Sequence, residues 1–109
     1  MDSSHAIRAL SALAQEHRLE AFRLLVQAGE TGLAAGVLAE RLGIPASSMS
    51  FHLAQLANAG LVAQRRNGRS ILYRADYAAM DGLLGYLTEN CCGGEPCGAE
   101  APSQERASA

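Results

Sequence analysis

The sequence predicts a mainly α domain with one small β-hairpin, in the order α-α-α-α-β-β-α. Three observations predict it. Apolar residues recur at helical spacing in five separate stretches, and the dipeptide Asn67-Gly68 sits between two short strand-like runs. The available core is aliphatic: 49% of the 109 residues are apolar but only 5% are aromatic, and there is no Trp. That length supports one domain.

Ile7, Leu10 and Leu13 mark a first helix, with Ser4 as its expected N-cap. Leu19, Phe22, Leu25 and Val26 mark a second from Glu16 to Ala28, halted by Gly29. Leu33, Val37, Leu38 and Leu42 define a short third helix that ends at Gly43. Ile44-Pro45 then opens a fourth, because proline lacks the N–H that a first helical turn leaves unpaired. It runs from about Ala46 to Ala59, buries Met49, Leu53 and Leu56, and stops at Gly60. Leu61, Val62 and then Ile71, Leu72 and Tyr73 flank Asn67-Gly68 as two strands, with a type I′ turn expected between them. Asp76 caps a fifth helix from Tyr77 to about Asn90, with Tyr77, Met80, Leu83, Leu84 and Leu87 on one stripe. Beyond it, Gly93, Gly94, Pro96, Gly98 and Pro102 oppose regular structure. The expected organisation is a domain over 1–90, a cysteine loop over 91–97 and a flexible tail over 98–109.

A short helix, a three-residue link, a longer helix and a hairpin form the order of a winged helix-turn-helix, an arrangement that reads DNA. The formal net charge of −2 opposes this at first sight, since phosphate needs clustered basic charge. The charges are segregated, however. Arg41, Arg65, Arg66, Arg69 and Arg74 lie within residues 41–75, which contain no acid, whereas residues 76–109 hold six acids against Arg106 alone.

Opposite Met49, Leu53 and Leu56, the fourth helix presents Ser47, Ser48, Ser50, His52 and Gln55, groups suited to base edges and phosphates in a major groove. An ordinary solvated helix face is the competing reading, but such faces usually mix Glu with Lys or Arg. Arg65, Arg66 and Arg69, with Arg74, surround the expected turn and can reach phosphate or an adjacent minor groove. Their competing role is to guard a strand edge against pairing. His5, His17 and His52 show no metal-ligand spacing, so His52 is assigned to DNA contact and the other two to structure.

Cys91, Cys92 and Cys97 are the only cysteines. A secreted disulfide framework would spread an even number along the chain behind a leader. No leader-like pattern and no run near the ~18 apolar residues of a bilayer span occurs. A cytoplasmic protein with reduced thiols, and no membrane partner, is therefore expected. A phosphatase-type catalytic loop needs Cys followed six positions on by Arg, and Cys97 and Gly98 occupy those positions, so no enzyme of that type is expected and no catalytic residue is assigned.

Residues Leu38-Ala39-Glu40-Arg41-Leu42-Gly43, Ser48-Met49-Ser50-Phe51-His52-Leu53-Ala54-Gln55-Leu56 and Ala59-Gly60-Leu61-Val62, with the Asn67-Gly68 wing, resemble the ArsR/SmtB family of winged-helix metal-responsive repressors. Residues 13–20 are similar to the family's entry to its second helix. The resemblance covers about residues 5–90. It implies a homodimer through the first and fifth helices, operator DNA with inverted repeats, release of DNA on inducer binding, and control of arsenic-detoxification genes. Phe51 is counted among the expected DNA contacts, although it departs from the family, which often carries a second His at this position.

The third helix has no Cys and the fifth no His, so two of the family's metal sites are absent. What remains is Cys91, Cys92 and Cys97, within seven residues. Three thiolates suit a soft trivalent ion, arsenic(III) or antimony(III), whereas zinc would want a fourth ligand. The same segment resembles the C-terminal arsenite site of an arsenic-responsive branch of the family, and no organic cofactor is expected. The alternative is a winged-helix DNA-binding regulator without metalloid sensing, or one that uses the cysteines as a redox switch, the latter opposed by the helix C-terminus and by Glu89 and Glu95, which disfavour thiolate formation.

Overall fold

Three of the helices start where a side chain accepts an orphan backbone N–H, and one follows a proline. Asp2 Oδ1 accepts from the His5 backbone N at 2.9 Å, so α1 spans Ser3–Leu13 and its N-cap is Asp2, not the expected Ser4. The carboxylate of Asp2 lies below its ordinary pKa because of that backbone hydrogen bond and the adjoining His5 ring. The Gln15 side chain accepts from Arg18 N at 2.9 Å and opens α2, Glu16–Ala28. Asp76 Oδ1 accepts from Ala79 N at 3.0 Å and opens α5, Tyr77–Leu87, as the sequence predicts.

The computed structural model describes residues 1–94, the Cys92 side chain excepted. Between α2 and α5 lie β1 (Leu33–Ala34), α3 (Ala35–Leu42), α4 (Ala46–Asn58), β2 (Val62–Asn67) and β3 (Ser70–Ala75). The expected winged helix-turn-helix is present, with one addition. Leu33 and Ala34, expected to begin a helix, instead pair antiparallel with Tyr73 and Leu72, so the wing is a three-stranded sheet in the order β1-β3-β2. Pairing with a strand about forty residues away overrides the local helical pattern.

The hairpin turn also differs from expectation. Asn67 pairs with Ser70, which leaves Gly68 and Arg69 as the two loop residues. Gly68 has φ +66 and Arg69 is not among the positive-φ residues, the signature of a type II′ turn, in which glycine occupies the first central position. The fifth helix ends three residues early. Thr88 Oγ1 donates to Leu84 O at 2.8 Å, Asn90 takes φ +58, and Cys91–Gly94 form a 3-10 turn. The rest of the expected cysteine loop, with Cys97, and the expected tail over 98–109 lie outside the described residues.

Leu25, Leu38, Met49, Leu53, Leu56 and Leu61 are the largest fully buried side chains, and they join α2, α3, α4 and the start of the wing. Tyr77 Oη donates to Val26 O at 2.9 Å, tying the start of α5 to the end of α2. On α1 the buried stripe is Ala6, Ala9 and Ala12, while Ile7 and Leu10 are 63% and 43% exposed. Small residues let α1 approach the core closely and turn its large apolar residues outward. On α5 Leu83 is buried but Leu84 and Leu87 are exposed. These outward residues lie on neighbouring elements, because α1 and α5 pack against one another.

Gly32 joins the end of α2 to the sheet with φ +75, and a Cβ there would lie 2.4 Å from the Tyr73 carbonyl oxygen. Gly32→Ala is expected to cost more than about 2 kcal/mol in urea unfolding, from left-handed strain added to a backbone clash. Gly36→Ala, in α3 with open space around it, is the control, expected to be neutral or to stabilise by up to ~1 kcal/mol.

Candidate nucleic-acid interface

Met49, Leu53 and Leu56 are each fully buried, and this sets the rotation of α4. Ser47, Ser50 and Phe51 are then exposed, while Ser48, His52 and Gln55 are half-buried. At the start of α4, Pro45 has φ −61 and offers no side-chain cap. The first backbone hydrogen bond into the helix is from Met49 N to Pro45 O, which leaves the N–H groups before it facing outward with the positive end of the helix dipole. Phosphate oxygens are the natural acceptors for such groups.

Arg65, Arg66 and Arg69 are all exposed on the wing. Arg65 is paired with Leu72 and Arg66 with Ile71, so the two arginines project from opposite faces of the ribbon, and Arg69 stands in the turn. Among the described residues none of the three makes an ion pair. Arg74 behaves differently from expectation. Its guanidinium Nη1 binds the Glu30 carboxylate in the turn after α2, so Arg74 is engaged within the fold rather than offered with the other wing arginines.

The fold brings His17 and His52 together, which their separation in the chain concealed. Their ring centroids are 5.7 Å apart. Arg18, beside His17, donates from Nε to the Ala12 carbonyl at 2.7 Å and from Nη1 to His52 Nδ1 at 3.2 Å. One guanidinium thus joins the end of α1, the start of α2 and the middle of α4. Burial, then the Arg18 charge, then His17 hold the His52 pKa below its ordinary value, so the ring is neutral near pH 7. His17, assigned to structure from sequence, lies on α2 with its ring against that of His52 on α4. The arrangement is opposite in sense to a cation site, since an arginine occupies its centre. Among the described residues no three His, Cys, Asp or Glu side chains come together to hold a metal ion.

Cys91 is half-buried and disulfide-bonded, not the reduced thiol that the sequence led us to expect. It begins the 3-10 turn that follows α5, and Gly93 and Gly94 take φ +67 and +92 in that turn. Cys97 lies outside the described residues and nothing is described of the Cys92 side chain, so the expected three-thiol constellation rests on sequence spacing.

A family model described as a helix-turn-helix domain matches residues 13–65. The nodulation protein NolR of Rhizobium meliloti is 34% identical over 88 residues, covering 81% of this chain and 70% of that protein. The structure of an ArsR-like transcriptional regulator from Rhodococcus sp. RHA1 superposes with a TM-score of 0.70 at 31% identity, covering 77% of this chain and 76% of the other. The homodimeric winged helix-turn-helix domain Mb0332 from Mycobacterium bovis, described as a possible ArsR-family regulator, superposes with a TM-score of 0.63 at 28% identity, covering 87% of this chain and 88% of that one.

Because the folded state holds the His52 pKa down, the unfolded chain binds its proton more readily as pH falls through the ordinary value of 6.5. The stabilisation is therefore complete above that value and lost below it. Comparing urea midpoints at pH 7.5 and 5.5, the wild type is expected to lose more stability on acidification than His52→Gln. Equal losses would mean that the His52 ring is not held neutral by its surroundings.

Proposed function

Given that the chain belongs to the ArsR-like family of winged helix-turn-helix transcriptional regulators, we propose that it is a repressor that binds inverted-repeat operator DNA as a homodimer and releases it when arsenic(III) or antimony(III) binds Cys91, Cys92 and Cys97. As a family member it is a DNA-binding regulator of transcription and not an enzyme. The observation that carries the DNA reading is the outward face of α4, which holds Ser47, Ser48, Ser50 and Gln55 without a single charge, alongside three exposed wing arginines that make no ion pair among the described residues. A major groove supplies the acceptors and the negative potential that this surface lacks.

Dimerisation through α1 and α5 is supported by Ile7, Leu10, Leu84 and Leu87, large apolar residues left exposed on two helices that pack together. A second copy covers them, and the homodimeric state of the M. bovis relative is consistent with that. The operator must then match two recognition helices about one DNA turn apart.

The cysteines follow the dimer helix directly, with Cys91 four residues past its end. Binding a trivalent ion through three thiolates draws Cys97 back toward Cys91 and Cys92, changes the end of α5, and so changes the spacing of the paired recognition helices. A coupling of this kind typically changes affinity ~5–150-fold, and DNA must weaken metalloid binding by the same factor. A second reading is favoured by one observation, the disulfide at Cys91. In that reading, oxidation of the thiols is the signal, and metalloid is not.

The operator is obtained by selecting from a randomised duplex library with reduced protein. Sodium arsenite titrated into the labelled complex is expected to weaken DNA binding at least about fivefold, with the thiol-to-arsenic absorption rising in parallel, and Cys91→Ser with Cys92→Ser is expected to abolish both. Release by an oxidant but not by arsenite would replace the metalloid reading with the redox one. Release by neither would leave a DNA-binding protein without this switch.

A further inference from the structure

The fold places Arg18 where the sequence gives no sign of a DNA-binding determinant, and the chemistry of its two hydrogen bonds is one-sided. A guanidinium has only donors, so its contact with His52 Nδ1 at 3.2 Å requires that nitrogen to be the acceptor. The ring proton is then on Nε2. In imidazole the two nitrogens point in widely different directions, so a ring whose Nδ1 is turned toward α2 presents its Nε2–H away from α2. His52 is on the recognition helix, between Phe51, whose ring it meets edge-on at 5.9 Å, and the buried Leu53.

We propose that Arg18 is a positioning residue for DNA recognition: it fixes the rotamer and tautomer of His52, so that His52 offers Nε2–H as a directed donor to an acceptor on the operator, a purine N7, a guanine O6 or a phosphate oxygen. The inference rests on the DNA-binding reading above. Arg18 is itself held from two sides, by the Ala12 carbonyl at 2.7 Å and by the His52 ring, so the donor direction is set by the packing of α1 and α2. The charged and titratable groups facing His52 are Arg18 and His17, both on α2, and Arg8 of α1 lines the same surface cavity of about 360 Å³ as Arg18, Gln55 and Asn58. No carboxylate lies among them. Protonating His52 would set two cations against each other and break the contact, so the donor works as a neutral imidazole.

The test uses the duplex enriched from the randomised library and a double-mutant cycle. Arg18→Gln is expected to weaken binding about threefold to tenfold in the wild-type background, the scale of one hydrogen bond, and less than about twofold in the His52→Ala background. Arg18→Lys, which keeps a cationic donor, is expected to recover part of the loss. Gln places an amide nitrogen near the position of Nε2 and Asn near that of Nδ1, so His52→Asn is expected to bind at least about threefold more weakly than His52→Gln. Independently of any variant's folding, nitrogen-15 spectra of the wild type are expected to show His52 as the Nε2–H tautomer. Equal losses for Arg18→Gln in both backgrounds, Asn binding as well as Gln, or an Nδ1–H tautomer would each overturn the proposal. A wild type that enriches no duplex overturns the DNA-binding reading and this one with it, whereas wild-type binding with equal losses in the cycle overturns this one alone.

Discussion

Everything at the interface depends on how α4 is turned, and that is fixed by three apolar side chains. Met49, Leu53 and Leu56 recur at helical spacing and are completely buried. Removing any one of them opens a cavity worth ~2–5 kcal/mol, so the helix cannot rotate to a different face at thermal energies. With that rotation set, the residues between them have only the outer face to occupy. Ser47, Ser50 and Phe51 stand in solvent, and His52 and Gln55 lie at the edge, where α1 and α2 can reach them. Hydrophobic burial thus sets the alignment of the polar groups, and Arg18 refines it at one position.

Much of this was legible because the signals are local. Five helices, the link at Gly43-Ile44-Pro45, the Asp76 cap and the hairpin follow from spacing, capping chemistry and turn residues, which the chain carries within a few positions of where they act. The α4 face was legible for the same reason, since one period fixes both what is buried and what is not. The helix boundaries were less so. Asp2 and Ser4 are both good caps, and only the backbone geometry selects Asp2.

What was not legible depends on partners far along the chain. Leu33 has a helical pattern and becomes a strand because β3 is beside it. Arg74 sits in the basic block but binds Glu30, 44 residues away. Arg18 and His52 are 34 residues apart, and nothing local marks them as a pair. On α1 the buried alanine stripe, Ala6, Ala9 and Ala12, runs beside the larger and exposed Ile7 and Leu10. Two runs of spacing coexist on that helix, and the tight approach of α1 to the core favours the smaller residues.

The charge distribution gains a physical meaning from the fold. The acid-free stretch, residues 41–75, supplies α4 and the β2-β3 hairpin, while Asp76 caps α5, Asp81 lies on it and Glu89 follows it. The central claim is that this surface neutralises DNA phosphates, and salt dependence measures it most directly. Operator affinity should be measured against salt concentration for the wild type and for Arg65→Ala, Arg66→Ala, Arg69→Ala combined. A steep fall with salt is expected for the wild type, and the variant's slope is expected to be shallower by about 0.9 for each phosphate it no longer neutralises. Identical slopes, or a wild-type affinity indifferent to salt, would contradict the account.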